Sequence, residues 1–499
     1  MKYKLIGAVA ILLAVLIVLA TSLYQSSMDT NTRVHQHLAA EKKEPCTADH
    51  SDGSLCTHLP LLVIDTGEQT IPGLLTGEED IFGEHEYSTT EDGESMITVR
   101  MDVFDSANSY NHLTDAPTLS TATQIRVRGH SSRTFEKAPY LLKLVTDDGA
   151  ERSEALLGMS KHDEWALHGP YLDKSLIRNY LFYNLSGEIM DYAPNCRFCE
   201  LILNGDYRGI YLLVETITAG EDGRLPIVMK KKGNVLSGYL LRIDRPTEAD
   251  LETLRDVDVY TERTYTQQLD VSIRYPGKER LTEELKTKIE RDFSAFEKAL
   301  YSFDYDSGDY SYREYLDVDS FVDYYIINSI TSNIDAGRYS TYIYKTLDGK
   351  YKMCVWDFNN CCNNYVSNAI GPDFDGIRNS AYYEMLFRNQ EFVEQIISRY
   401  HELRKSILSD EYIEKYIDDT LAFLGDAIDR NSARWADYIA GDPLLDPEET
   451  GRNPHSQSEA VAMLKDNLFS RMDWMDENIE YLLQFCAHSA NKNYSELPH

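Results

Sequence analysis

An α+β chain is predicted from three features of the sequence. β-Branched and aromatic runs with period-two alternation fill the N-terminal half, Asn-Gly and Asp-Gly turns join apolar runs into hairpins, and apolar residues at spacings of three and four dominate beyond Ala381. Residues 61–66, 96–101 and 124–128 are predicted as strands, because their β-branched side chains suit a pleated, half-buried surface. A helix is predicted from Lys174 to about Met190 behind Asp173 as N-cap, with Leu176, Ile177, Tyr180, Leu181 and Leu185 forming its apolar stripe. Two hairpins follow: 198–203 with 209–214 around Asn204-Gly205-Asp206, and 339–344 with 351–356 across Leu347-Asp348-Gly349-Lys350. Helices are predicted around 387–407, 410–430 and 458–485.

A chain of 499 residues admits two or three domains or one large catalytic unit. Its 82 Asp and Glu against 49 Lys and Arg give a formal charge of -33, which repels phosphate backbones, so nucleic acid is not an expected partner. Against this background the basic cluster from Arg126 to Lys143 is the place to look for a bound anion. At the N-terminus, Lys2 and Lys4 precede an apolar run from Leu5 to about Ala20, the layout of a signal peptide or membrane anchor over 1–24. The pattern Leu19-Ala20-Thr21 is a poor cleavage site, which favours a single N-terminal anchor in the cell membrane with an extracytoplasmic body; secretion is the alternative. Residues 25–58 read as a polar stalk and 59–485 as the folded body, β-rich to about 275 and C-terminal from about 276, with a polar tail over 486–499.

Export admits disulfides, and Cys46 and Cys56 are placed to close a small loop. Cys196-Arg197-Phe198-Cys199 has a zinc-like spacing, but it lies along an apolar strand with no second ligand pair nearby, so buried thiols are expected there. Most of the 35 tyrosines, including Tyr324, Tyr325, Tyr382 and Tyr383, fall in core patterns, and Trp435 is expected to pack a helix. No His-Glu-x-x-His is present, and His162 and His168 lack zinc-protease spacing.

Two constellations carry candidate chemistry. In Arg126-Val127-Arg128-Gly129-His130-Ser131-Ser132-Arg133, followed by Lys137 and Lys143, a glycine and two hydroxyls supply flexible donors while the cations supply countercharge for a polyphosphate. Asn333-Ile334-Asp335 precedes the second hairpin and Trp356-Asp357-Phe358-Asn359-Asn360 follows it, so strand pairing returns Asp357 to the end where Asp335 lies. In phosphoryl transfer, one such carboxylate orients an acceptor hydroxyl and the other holds magnesium. The plainer alternative is that Asp335 begins a turn and Asp357 caps the segment after it.

These blocks, with Asp173-Lys174-Ser175-Leu176-Ile177-Arg178-Asn179 and the stretch from Glu200 to Glu215, occur in an order that resembles the spore-coat-protein-H (CotH) family of atypical protein kinases, from about Leu59 to about Leu483. The resemblance implies a divergent protein-kinase-like, two-lobed fold that uses ATP with Mg2+ or Mn2+ to phosphorylate Ser or Thr of secreted or surface proteins. It implies Asp335 as the catalytic aspartate and Asp357 as a metal ligand with Asn359 beside it. Lys143, Arg128, Ser131 and Ser132 would contact the phosphates, and Glu215 would orient a lysine or metal-bound water, unless it pairs with Arg178 or Lys174. The chain departs from the family at His130 and near Ser340, where Asn is usual, and at Asn359, where a second Asp is usual; a neutral amide binds a hard cation less strongly. A surface scaffold of the same fold, or a nucleotidyl transferase, are the other readings of the resemblance.

Overall fold

The computed structural model describes residues 33, 35–39, 43–47, 54–76, 86–129, 131–220, 224–227, 237–244, 271–302, 305–306, 311–364, 369–441 and 452–487. The apolar run 5–20, His130 and nearly all of the tail lie outside the described residues. Among the described residues no helix is long and apolar enough to cross a membrane.

The strands, in chain order, are β1 (Cys56–Thr57), β2 (Leu61–Asp65), β3 (Leu75–Thr76), β4 (Glu86–Tyr87), β5 (Ile97–Phe104), β6 (Asn111–His112), β7 (Leu119–Val127), β8 (Tyr140–Val145), β9 (Glu164–His168), β10 (Cys196–Leu203), β11 (Asp206–Glu215), β12 (Gly238–Ile243), β13 (Val271–Tyr275), β14 (Thr341–Thr346) and β15 (Lys352–Cys354). The helices are α1 (Gln36–Ala39), α2 (Arg178–Ile189), α3 (Glu283–Leu300), α4 (Val318–Ile330), α5 (Ala381–Leu386), α6 (Gln390–Leu403), α7 (Asp410–Leu424), α8 (Asp426–Arg434), α9 (Ala436–Ala440) and α10 (Gln457–Asn478).

Alternation along the N-terminal strands lets them close on themselves. The order β10-β11-β9-β8-β7-β5-β2 forms a closed seven-stranded barrel, completed by parallel pairing of β10 with β2 from Glu200 opposite Leu61 to Leu203 opposite Ile64. One residue in two points inward, and Leu62, Ile64, Met101, Ile125, Leu142, Leu144, Trp165, Leu201 and Leu213 fill the interior. Each such side chain contributes roughly 1.5–3 kcal/mol by leaving water. The intervening residues face outward: Ala166, Phe198, Ile210, Leu212 and Val214 join the larger core built on α2, α4 and the C-terminal helices.

A second sheet, β13-β12-β14-β15, packs on the same helical core through Leu241, Ile273, Ile343 and Met353. The division expected near residue 275 is therefore crossed, because β12 pairs with β14 from Gly238 opposite Thr346 to Ile243 opposite Thr341. Both predicted hairpins form. At the tip of the first, Asn204 and Gly205 have φ of 51° and 77°, the left-handed pair a tight turn between twisted strands requires. The second is shorter than predicted: pairing is confined to Tyr342 through Tyr344, and Ser340 turns out of the strand at φ 49°.

The helix expected from Lys174 starts at Arg178, since Leu176 adopts φ 71°. Asp173 serves its start from outside the first turn, accepting from Arg178 N at 2.8 Å and binding the Arg178 guanidinium at 2.5 Å. The segment expected over 410–430 breaks at Gly425 (φ 48°) into α7 and α8. Where it is described, the expected stalk is packed on the body: Arg33 donates to Asn184 Oδ1 and to the carbonyls of Ala193 and Pro194, and Gln36 bonds both backbone groups of Phe198. Tyr324, Tyr325, Tyr382, Tyr383 and Trp435 are buried, as is each Cys of Cys196-x-x-Cys199.

Candidate functional site

The chain enters the β14–β15 hairpin from the end of α4 and leaves it toward α2, and both passages are held by side-chain amides. Asn333 links them: its Nδ2 donates to Asp357 O at 3.3 Å while its Oδ1 accepts from Asp335 N at 3.2 Å. Asp335 also begins a turn, its carbonyl accepting from Tyr339 N at 2.8 Å and Arg338 N at 3.1 Å. On the outgoing side, α2 fixes the backbone. Asp357 N donates to Tyr183 Oη at 3.1 Å and Phe358 N to Asn179 Oδ1 at 2.8 Å, and the buried Phe358 ring packs 5.4 Å from Phe182 and 5.7 Å from Tyr183. Asp357 takes φ 61°, a left-handed conformation that costs a non-glycine residue about 1–3 kcal/mol and persists only when its surroundings over-determine it.

The two carboxylates come together as the hairpin requires. Burial pushes the Asp357 carboxyl up to about 6, and the charge of Asp335 adds to the rise; Asp244, at the end of β12, acts in the same direction, while the Asn359 N–H and Arg128 oppose it. Asn360 Nδ2 donates to Asp335 Oδ2 at 3.1 Å, leaving Asn360 Oδ1 buried with no hydrogen-bond partner among the described residues. A half-buried, like-charged acid pair beside an unsatisfied amide oxygen is a donor set that fits a hard divalent cation. Asn359, the other expected ligand, has Oδ1 accepting from Asn179 Nδ2 at 3.2 Å, and its N–H binds Asp357 Oδ1 at 3.1 Å. The amide oxygen still lacking a donor is thus one residue further on.

Arg128, just past β7, faces this pair, with its guanidinium 5.3 Å from the Trp356 ring centroid. Its charge and burial together keep His168 neutral, burial first and Arg128 second lowering that imidazole to about 4. Lys143 stands on the outward face of β8, its Nζ 3.7 Å from Glu164 Oε2, with Arg274 at 3.3 Å from Glu164 Oε1. Burial pushes the Glu164 carboxyl up, but Arg274 and Lys143 outweigh it and hold the group at about 2.

Other expected site residues are used differently. Ser131 and Ser132 open a short 3-10 turn, Ser131–Thr134, and a Cβ on Gly129 (φ 97°) would lie 2.0 Å from Ser132 Oγ, so the turn closes only on glycine. Arg133 and Lys137 belong to the frame. Arg133 donates to Gly73 O at 2.8 Å and Val127 O at 3.0 Å, and Lys137 is buried with its Nζ 2.8 Å from Asn431 Oδ1. Glu215 does not orient Lys143, nor does it pair with Arg178 or Lys174. Its Oε2 accepts from Asn195 N and Nδ2, each at 3.0 Å, whereas Arg178 binds Asp173 and Lys174 Nζ reaches Asn453 Oδ1 at 2.5 Å. The acid beside Lys143 is Glu164, which follows the lysine across the β8–β9 pairing.

The sequence reading missed Glu164, Asp244, Asn179, Tyr183 and Asn360. Asn333 and Asn360 lie within three residues of the two aspartates in sequence, and their amides are the signal that would have found them; Glu164 and Asp244 depend on sheet register.

The structure therefore defines a barrel whose charged outer face opposes a carboxylate pair at the mouth of a hairpin. Residues 125–475 match the family model described as CotH kinase protein, a span that takes in the whole basic cluster and both aspartates, and the chain belongs to this family. No curated protein matches the chain.

Proposed function

We propose that the protein is a kinase that transfers phosphate from ATP to Ser or Thr of secreted or surface proteins, or of itself, in a Mg2+- or Mn2+-dependent reaction. The observation that carries this reading is the Asp335–Asp357 pair, with Asp357 raised to about 6 and the unsatisfied Asn360 amide oxygen beside it. Family membership supplies the expectation of ATP and a divalent metal. Metal-bound ATP supplies an electrophilic terminal phosphate whose charge is partly neutralised. Asp357 and the Asn360 amide oxygen are the groups to hold the cation, with Asn359 in support. Arg128 and Lys143, on the outer face of the barrel, provide countercharge for the phosphates, and Ser131 and Ser132 provide donors. Asp335 orients the acceptor hydroxyl and takes its proton; its position is fixed by the hydrogen bond its carboxylate accepts from Asn360 Nδ2 and the one its backbone N–H donates to Asn333 Oδ1. In this reading the barrel covers the nucleotide and the helical body supports the acceptor side, a divergent kinase-like two-lobed arrangement.

The Lys2, Lys4 and Leu5–Ala20 layout supports an extracytoplasmic location with a single N-terminal membrane anchor. Mass spectrometry after incubation with ATP and Mg2+ or Mn2+ tests the chemistry, with Asp335→Asn in parallel. A gain of one phosphate in the wild type and none in the variant is expected. A nucleotidyl adduct would move the assignment to nucleotidyl transfer, and no adduct together with no metal-dependent ATP binding would leave a scaffold.

A further inference from the structure

We propose that Cys46, Cys56 and His112 form a zinc site that clips the N-terminal segment to the barrel, remote in sequence from the aspartate pair and independent of the kinase reading. Cys56 and His112 are direct cross-strand partners in the β1–β6 ladder, so their side chains share one face of it. Cys46 arrives from a third stretch of chain. Glu44 N donates to Asn108 O at 2.9 Å and Glu44 bridges to Ser109, which lays residues 43–47 along the turn before β6.

The three donor atoms lie within 4.8 Å of one another, and His112 Nε2 is 3.2 Å from Cys46 Sγ. Zinc bound at about 2.3 Å to sulfur and about 2.0 Å to nitrogen sets tetrahedral donor separations of roughly 3.4–3.8 Å, so an ion enters with donor shifts of no more than about 1 Å. The imidazole is already oriented for it. Asp115 Oδ2 sits 3.1 Å from His112 Nδ1 and also accepts from His112 N at 2.8 Å, so a proton on Nδ1 turns the Nε2 lone pair toward the sulfurs. A carboxylate behind a ligating histidine is the usual way a zinc-bound imidazole is held in tautomer and direction. Two thiolates and an imidazole favour zinc over magnesium or calcium, and water completes the fourth position. All three residues are half-buried, which leaves the ion a route in.

The sequence suggested a Cys46–Cys56 loop; in the structure both are thiols, and the histidine beside them has no part in a disulfide. The site joins three segments that reach the barrel separately: the 43–47 strap, the entry to β2, and the loop after β5.

The test is metal analysis of the full chain purified without chelator, followed by Co2+ titration of the metal-free protein read by thiolate-to-cobalt charge-transfer absorption. One zinc per chain and a tetrahedral cobalt spectrum are expected. Cys46→Ser and His112→Ala should each lower zinc affinity by at least 100-fold, and Asp115→Asn, which keeps all three ligands and is the variant least able to disturb folding, by about 10- to 100-fold. Bound zinc should also shield Cys46 and Cys56 from alkylation in the wild type. A chain that carries no zinc and shows the two-proton mass loss of a Cys46–Cys56 disulfide would overturn the proposal, as would an unchanged zinc content in Cys46→Ser.

Discussion

Glu164 and Asp357 are both carboxylates enclosed between the barrel and the second sheet, yet their environments drive them in opposite directions. Burial raises Glu164 as it raises Asp357, but Arg274 and Lys143 stand at 3.3 and 3.7 Å and hold it at about 2. Asp357 has Asp335 and Asp244 for company and only the Asn359 N–H and Arg128 against them, and rises to about 6. The first acid is neutralised by the protein's own cations. The second has no cation in contact to do this among the described residues, which is the electrostatic condition that the proposed metal-ligand role requires.

The largest expected effect breaks the comparison at Asp357. Asp357→Asn removes the charge that attracts a cation and also the charge that is costly to bury without one. Metal-dependent ATP binding should fall by about 100-fold or more, while the metal-free protein gains stability on the order of 1–3 kcal/mol, seen as a higher Tm in chelator. A loss of binding with a lower Tm would mean that Asp357 is a structural acid like Glu164.

Titration sharpens the same contrast. Because Asp357 in the folded metal-free protein holds its proton to about 6, above the ordinary carboxylate value of 3.8, the native state binds more protons than the unfolded chain between these values. Its contribution to stability is therefore lost as pH rises through that window. Cation binding requires the ionised form, so Mn2+ affinity measured calorimetrically should weaken up to about tenfold for each unit that pH falls below about 6. Affinity flat from pH 7 to 5 would remove Asp357 from the ligand set.

How much of this was legible in the sequence follows the range of the interactions. The hairpins were readable because Asn204-Gly205 and Asp348-Gly349 act locally, and the convergence of Asp335 and Asp357 follows from strand return. Barrel closure was not readable: it depends on β10 lying parallel to β2, a pairing between distant segments with no local signal. The same limit explains Glu215, which ends an apolar strand but lies against Asn195, and Glu164, which reaches Lys143 only through register. Arg133 and Lys137 could not be separated from Arg128 by composition, since only folding shows which cations are absorbed by backbone carbonyls and Asn431.

A smaller effect is expected at Glu164. Glu164→Gln leaves Arg274 and Lys143 facing each other without their shared acid and should destabilise the protein by about 1–3 kcal/mol, below the range for fully buried pairs because Lys143 is 39% exposed. The sign of its pH dependence is opposite to that of Asp357. A carboxylate held at about 2 contributes stability that is complete above its ordinary value of 4.5 and is lost as pH falls toward 2, so the wild type and the variant should converge in Tm across that window.

The smallest effect discriminates between ligand and frame at Asn360. Its Nδ2 bonds Asp335, so truncation alone confuses lost positioning with a lost ligand. Asn360→Asp keeps an oxygen where Oδ1 has no partner, replaces the Nδ2 donor to Asp335 with a second oxygen and adds a third negative charge near Asp335 and Asp357. If that oxygen faces the cation, Mn2+ should bind a few-fold to tenfold more tightly while the metal-free protein loses about 1 kcal/mol to like-charge repulsion. Asn360→Ala should weaken Mn2+ binding a few-fold, with a modest loss of stability from the broken hydrogen bond. Opposite shifts in metal affinity for the two variants would identify Asn360 as a ligand, whereas weaker binding in both would make it a support for Asp335 alone.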